Sequence, residues 1–213
     1  MAKIKAIIFD MDGVLIEAKD WHYEALNKAL SLFGYSINRF DHLVTYDGLP
    51  TKKKLEMLSV ERGLPEGLHA FINEMKQIYT LEIVYTRCKP VFYHAYACSK
   101  LKAQGVRLAV ASNSVRATVE LMIEKSSLLP YMEFLLSNQD VTRSKPDPEI
   151  YNVAIQRLGL QPSECLVVED NQNGIKAARA AGANVMMVNS VEDVNFDNIA
   201  DHMRRAESAE VPA

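Results

Sequence analysis

The segment KAIIFDMDGVL, Lys5 to Leu15, decides how the rest of this 213-residue chain is read. Its apolar run, Ala6 to Phe9, stops abruptly at Asp10, and a second carboxylate, Asp12, comes just before Gly13. Four apolar residues flanked by polar ones are the pattern of a strand buried on both faces. In a parallel α/β sheet, ligands collect beyond the carboxyl ends of the strands, which places Asp10 where chemistry is done. Two acids forced together there repel, so they need a cation, a shared proton or a positive ligand partner. Gly13 permits a turn that a side chain would obstruct.

Outward from this strand the period of the pattern changes. Ala25, Leu26, Ala29, Leu30 and Phe33 fall on one face of a helix that Gly34 ends. Thr51 is placed to cap a second helix carrying Leu55 and Leu58 and stopping near Gly63. Leu68, Phe71, Ile72, Met75, Ile78 and Tyr79 repeat at helical spacing in a third. Residues 16–83 therefore read as an all-helical block.

From Pro90 onward, helix and strand patterns alternate. Strands are expected at Arg107 to Ala111, Phe134 to Leu136, Cys165 to Val168 and Val185 to Val188, with helices between them. Asp147 and Pro148 read as a helix start with proline at the first helical position. Gly174 to Ala181 reads as an Ala-rich helix, and the tail from Arg204 as frayed. The expected fold is α/β: a Rossmann-like parallel sheet core from residues 1–15 and 84–213, with a helical cap, 16–83, inserted after the first strand.

Composition narrows the function classes. The 24 Lys and Arg against 27 Asp and Glu give a net charge of -3, which offers no basic field for nucleic acid. No apolar stretch approaches the roughly 20 residues needed to cross a bilayer, so no membrane role is expected. The opening MAKIKAIIFD has no secretory apolar region, and Cys88, Cys98 and Cys165 form no C-x-x-C pair. A cytoplasmic protein with reduced thiols and a monomeric state is expected.

Three apolar runs end alike: KAIIFD at Asp10, RLAVASNS at Ser112 and Asn113, and CLVVED at Glu169 and Asp170. Parallel neighbouring strands would gather these side chains at one sheet edge, with Lys145 of SKPDPEIY reaching the same region. Four carboxylates, a hydroxyl, an amide and an ammonium suit phosphoryl transfer. Carboxylate oxygens suit Mg²⁺, while Ser112, Lys145 and turn N–H groups can hold phosphoryl oxygens. Asp10 is a competent covalent nucleophile toward phosphorus, and Asp12 can move the proton of the leaving group and then of water. Taken singly the pieces are bland. D-x-D-G is common in turns and calcium loops, although Val14 and Leu15 lack the oxygens a calcium loop needs. Glu169 and Asp170 alone could be a charge pair at a helix start.

Together, DMDG, the strand-end Ser112, Lys145 in KPDPEIY and the acidic pair in VEDNQNGIKAARAAG resemble the four motifs of the haloacid dehalogenase-like hydrolase superfamily. The helical block resembles the small cap of the subgroup containing phosphoglycolate phosphatase and β-phosphoglucomutase. Glu17, Asp20 and His22 stand where that subgroup often has acidic-x-x-acidic-x-His. The resemblance implies Asp10 as nucleophile and Asp12 as general acid/base. It implies Mg²⁺ held by Asp10, the Asp12 main-chain carbonyl and Asp170, with Glu169 a direct or water-bridged ligand. Ser112, Asn113 and Lys145 would bind the phosphoryl group. The cap would select substrate through the YDGLPTKK stretch, Tyr46 to Lys53, with His22, Gly48, Thr51 and Lys52 as its candidates.

Asp12 separates subclasses, because dehalogenases and phosphonatases of the superfamily lack that acid. The mutase of the subgroup uses a cap Arg where this chain has Thr51 beside Lys52, and a cap Lys at a position aligned with Met75, beside Lys76. These exchanges favour a phosphatase over the mutase. The four-part constellation gives the expected activity, a Mg²⁺-dependent phosphatase of a small phosphorylated metabolite, of sugar or polyol phosphate type. The alternatives are a β-phosphoglucomutase-like sugar phosphomutase and a non-catalytic phosphometabolite-binding protein. The run Lys52 to Lys54 reads as a solvated helix face.

Overall fold

A computed structural model describes residues 3–46 and 49–208. The chain divides into two compact units, one formed by the residues up to Glu17 and from Lys89 onward, the other by Ala18–Cys88. Strand β1 (Ala6–Phe9) opens the first unit. The second unit follows with α1 (Lys19–Ser31), α2 (Arg39–Val44), α3 (Thr51–Arg62) and α4 (His69–Arg87). Then come α5 (Phe92–Ala103), β2 (Arg107–Ala111), α6 (Arg116–Lys125) and β3 (Phe134–Leu136). The chain ends with α7 (Glu149–Leu158), β4 (Cys165–Glu169), α8 (Gln172–Ala180), β5 (Asn184–Met187) and α9 (Phe196–Ser208).

The five strands form one parallel sheet in the order β3-β2-β1-β4-β5. Strand β1 is central, with Ile8 opposite Ala109 on one side and Val167 on the other. All four of its residues are fully buried, as its unbroken apolar run requires. Ile8 and Val167 pack with Ile150, Tyr151 and Ala154 of α7 and with Ala177 and Ala178 of α8. From β1 the sheet grows outward through β2 to β3, then resumes at β4 on the other side of β1. That reversal leaves a crevice beyond the carboxyl ends of β1 and β4, where α/β sheets bind ligands. Asp10 follows the end of one strand, and Glu169 ends the other.

The helical unit has its own core of Leu26, Leu30, Ile37, Tyr46, Leu55, Leu58, Leu64 and Ile72. Tyr46 donates to Glu61 at 2.8 Å, and burial together with that carboxylate pushes its phenol up to about 12. No described helix is long and apolar enough to cross a membrane.

Several sequence expectations shift. The boundary expected at residue 83 falls inside α4, which runs on to Arg87 because Ile83 and Val84 continue its buried face. Thr51 is the first residue of α3, and Pro50 occupies the cap position, so the threonine hydroxyl makes no capping bond. Pro148 sits one position before α7, with the Asp147 carboxylate accepting the Glu149 N–H at 3.0 Å. The Lys52 to Lys54 run is not uniformly solvated: Lys54 lies on the inner face of α3 with Leu55 and Leu58. The tail expected to fray from Arg204 continues α9 to Ser208, where the Glu207 carboxylate accepts the Ile4 N–H at 3.0 Å. Helix α2 was not expected; Asn38 caps it by accepting the Asp41 N–H at 2.8 Å.

Candidate active site

Three strand ends and one loop build the site. The Asp10 N–H donates to the Val168 carbonyl at 3.0 Å, so the residue stays tied to the sheet while its carboxylate extends beyond it. The Ser112 N–H is anchored in the same way on Leu136 of β3, at 3.0 Å. The Lys145 loop is drawn in by its own N–H, which donates to Asn113 Oδ1 at 3.2 Å. Between Asp10 and the helical unit the backbone turns sharply. The Met11 carbonyl accepts the N–H groups of Val14, Leu15 and Ile16, and Gly13 takes a φ of +86°. That left-handed conformation is what glycine supplies there.

At the centre lies a buried cation among acids. Lys145 Nζ donates to Asp10 Oδ1 at 2.6 Å, to Glu169 Oε1 at 2.7 Å and to the Ala111 carbonyl at 2.9 Å. Its three hydrogens are thus all engaged. Burial disfavours the ammonium, but the two carboxylates outweigh that cost and hold its pKa up at about 12. For Asp10, burial pushes the carboxyl well above the usual carboxylate range; Lys145 opposes this, and Glu169 and Asp12 reinforce it. A charged Asp10 therefore calls for more positive charge than Lys145 alone provides.

Carboxylate oxygens of Asp10, Glu169 and Asp170 lie within 4.8 Å of one another, a hard-oxygen set of the kind Mg²⁺ takes. The Asp12 side chain is not part of this trio; its Oδ2 accepts the Ser114 hydroxyl at 2.8 Å. Ser112 Oγ accepts the Ser114 N–H at 3.0 Å, so one serine links the Asp12 and Ser112 sides of the site.

The structure thus brings Asp10, Asp12, Ser112, Asn113, Lys145, Glu169 and Asp170 to one end of the sheet. His22, Thr51 and Lys52 belong to the helical unit, and Gly48 lies outside the described residues. Within that unit His22 Nδ1 is 3.3 Å from the Nζ of buried Lys76. Met75, aligned with the mutase's cap lysine, packs against the apolar core, and Lys76 beside it is the residue within reach of His22.

Ser114 and two further residues of the core site were not singled out from sequence. Tyr151 donates its hydroxyl to Glu169 Oε1. Gly174 lies so close to the same carboxylate that an added Cβ would meet Oε1 at 1.8 Å. Glu169 is only 1% exposed and has nowhere to retreat. Gly174→Ala is therefore expected to destabilise the fold by about 1–3 kcal/mol, the range of an overpacked site. Denaturant unfolding checks this, and wild-type stability in the variant would show that the turn relaxes freely.

A family model described as haloacid dehalogenase-like hydrolase matches residues 7–188. Protein CbbY of Rhodobacter capsulatus is 30% identical, over 88% of this chain and 86% of its own length. A phosphorylated carbohydrates phosphatase of Thermotoga maritima is 27% identical, over 84% of this chain and 82% of its own. Among solved structures, a β-phosphoglucomutase of Clostridium difficile superposes with a TM-score of 0.82 at 19% identity, covering 97% of this chain and 100% of that one.

Proposed function

The chain belongs to the haloacid dehalogenase-like hydrolase family, and we propose that it is a Mg²⁺-dependent phosphatase of a small sugar or polyol phosphate, working through a phospho-aspartate at Asp10. The observation that carries this reading is the Asp10 carboxylate at the end of β1, held at 2.6 Å by Lys145 beside Glu169 and Asp170. The relatives' names point the same way. A protein named as a phosphatase of phosphorylated carbohydrates aligns over 84% of this chain.

In this scheme Asp10 uses the oxygen not held by Lys145 to attack phosphorus, and the ester P–O bond breaks as the acyl-phosphate bond forms. Asp12 delivers a proton to the departing alkoxide oxygen, oriented by the Ser114 hydroxyl on its Oδ2. The resulting Asp12 carboxylate then takes a proton from water as that water attacks the same phosphorus, which returns Asp10 and yields inorganic phosphate. Ser112 holds a phosphoryl oxygen together with the backbone N–H groups nearest Asp10, ahead of Gly13 to Ile16, whose N–H groups bond the Ile16 and Met11 carbonyls. Lys145 serves chiefly to orient the nucleophile and balance its charge, because its three donors are already engaged. Asp10, Asp170 and the Asp12 main-chain carbonyl would hold Mg²⁺, with Glu169 a direct or water-bridged ligand, and the ion would supply the charge that neutralises the acids and the phosphate.

A second reading, a sugar phosphomutase on the same Asp10, gains support from the His22–Lys76 pair. A buried ammonium in the helical unit supplies one of the cations a second phosphate needs. The cap Arg is still replaced by Thr51, which keeps the phosphatase first. Incubation with β-glucose 1-phosphate and a bisphosphate activator separates the two: free phosphate is expected, and glucose 6-phosphate would establish the mutase.

Metal removal is a further test. Dialysis against EDTA is expected to reduce phosphate release to background, and millimolar Mg²⁺ to restore it. Undiminished turnover after chelation would contradict the assigned role of the acidic trio. A screen of phosphorylated metabolites with Mg²⁺ present identifies the substrate.

A further inference from the structure

Tyr151 is a buried polar group that the reaction scheme does not use. It lies on the inner face of α7 with Ile150, Ala154, Ile155 and Leu158, where a phenylalanine would fill the same space. A buried hydroxyl costs stability unless it finds a partner, so its presence on this apolar face requires a reason. Its hydroxyl donates to Glu169 Oε1, the same oxygen that accepts Lys145 Nζ at 2.7 Å. The Lys145 ammonium also lies 4.8 Å from the centre of the Tyr151 ring. One aromatic side chain therefore touches both members of the ion pair behind Asp10.

The opposite flank is closed as well. Gly174, in the first turn of α8, leaves just enough room for the Glu169 carboxylate, which a Cβ would strike. Glu169 is thus fixed between α7 and α8, and its orientation sets where Lys145 is held. The same ammonium reaches Asp10 Oδ1 at 2.6 Å, so a turn of the Glu169 carboxylate would draw it away from the attacking residue. We propose that the Tyr151 hydroxyl is a positioning group of the phosphoryl-transfer site, locking Glu169 so that Lys145 remains seated on Asp10. This inference rests on the phosphatase reading above. The hydroxyl touches no reacting atom and acts through Glu169.

The test is a double-mutant cycle of Tyr151→Phe and Glu169→Gln, read by steady-state kinetics with Mg²⁺ and by denaturant unfolding of the metal-free protein. Tyr151→Phe keeps the ring and its packing, and is expected to lower kcat about tenfold with KM for substrate changed less than about twofold. In the Glu169→Gln background the same change is expected to cost nothing further in kcat, because the group it acts through is already altered. The unfolding cycle is expected to be non-additive too. A Tyr151→Phe enzyme with wild-type kcat, or effects that add fully across the cycle, overturns the proposal. A Tyr151→Phe chain that fails to fold also overturns it, since the hydroxyl would then serve the fold itself. A wild-type chain that releases no phosphate in the metabolite screen overturns the phosphatase reading instead, and the unfolding cycle still reports the Tyr151–Glu169 coupling.

Discussion

Asp10→Asn is expected to reduce phosphate release by about 10⁴-fold or more, the scale of removing a covalent nucleophile, while leaving the chain folded. The amide nitrogen and oxygen occupy nearly the same volume as the carboxylate but do not attack phosphorus. The fold is expected to tolerate the change for an electrostatic reason. Lys145 retains Glu169 at 2.7 Å and the Ala111 carbonyl at 2.9 Å, so the buried ammonium is still paired. One acid fewer also relieves the repulsion that helps raise the Asp10 carboxyl. Steady-state turnover of an aryl phosphate together with a thermal melt checks both halves. Turnover within about tenfold of wild type would remove Asp10 from the nucleophile's role.

The second large effect is expected from Lys145→Met, which is similar in length and apolar. It leaves Asp10 and Glu169 buried beside one another without their shared cation, with their side chains only 11% and 1% exposed. Breaking a buried pair in this way costs about 3–5 kcal/mol, because the remaining charges stay desolvated. Turnover is expected to fall by about 10²–10³-fold as the orienting donor on Asp10 is lost. Lys145→Arg is not expected to rescue it: the Lys145 side chain is 4% exposed, and the planar guanidinium needs space this pocket lacks. Denaturant unfolding and kcat at saturating Mg²⁺ are the measurements. A Lys145→Met protein as stable as wild type would show that one of the carboxylates accepts neutrality without cost.

What the sequence made legible is the part of the site that lies at strand ends. Asp10, Ser112 and the Glu169–Asp170 pair each terminate or follow an apolar run, and a parallel sheet must bring such ends together. Lys145 precedes a recognisable helix start. The rest depends on contacts between residues distant in the chain, which periodicity does not encode. Tyr151 fits the apolar face of α7 perfectly well as a core residue, and only the folded chain brings its hydroxyl to Glu169. Gly174 reads as an ordinary small residue in an Ala-rich helix until the Glu169 carboxylate is placed against it. Ser114 lies 102 positions from the Asp12 it serves. In the helical unit, the apolar stripe already placed Met75 toward the core, but only the folded chain shows that Lys76, one position on, reaches His22. Helix α9, by contrast, lies within reach of the sequence: Phe196, Ile199, Ala200 and Met203 recur at helical spacing, and the Glu207–Ile4 hydrogen bond helps to hold its end.

A covalent phospho-aspartate at Asp10 is the step on which the mechanism turns, and mass spectrometry tests it directly. Acid quenching during turnover, followed by proteolysis, is expected to yield a phosphorylated form of the peptide containing Asp10, with fragmentation placing the phosphoryl group on that residue. The adduct is expected to be absent from Asp10→Asn. Substrate turnover with no adduct at any carboxylate, or an adduct on Asp12 in place of Asp10, would contradict the mechanism.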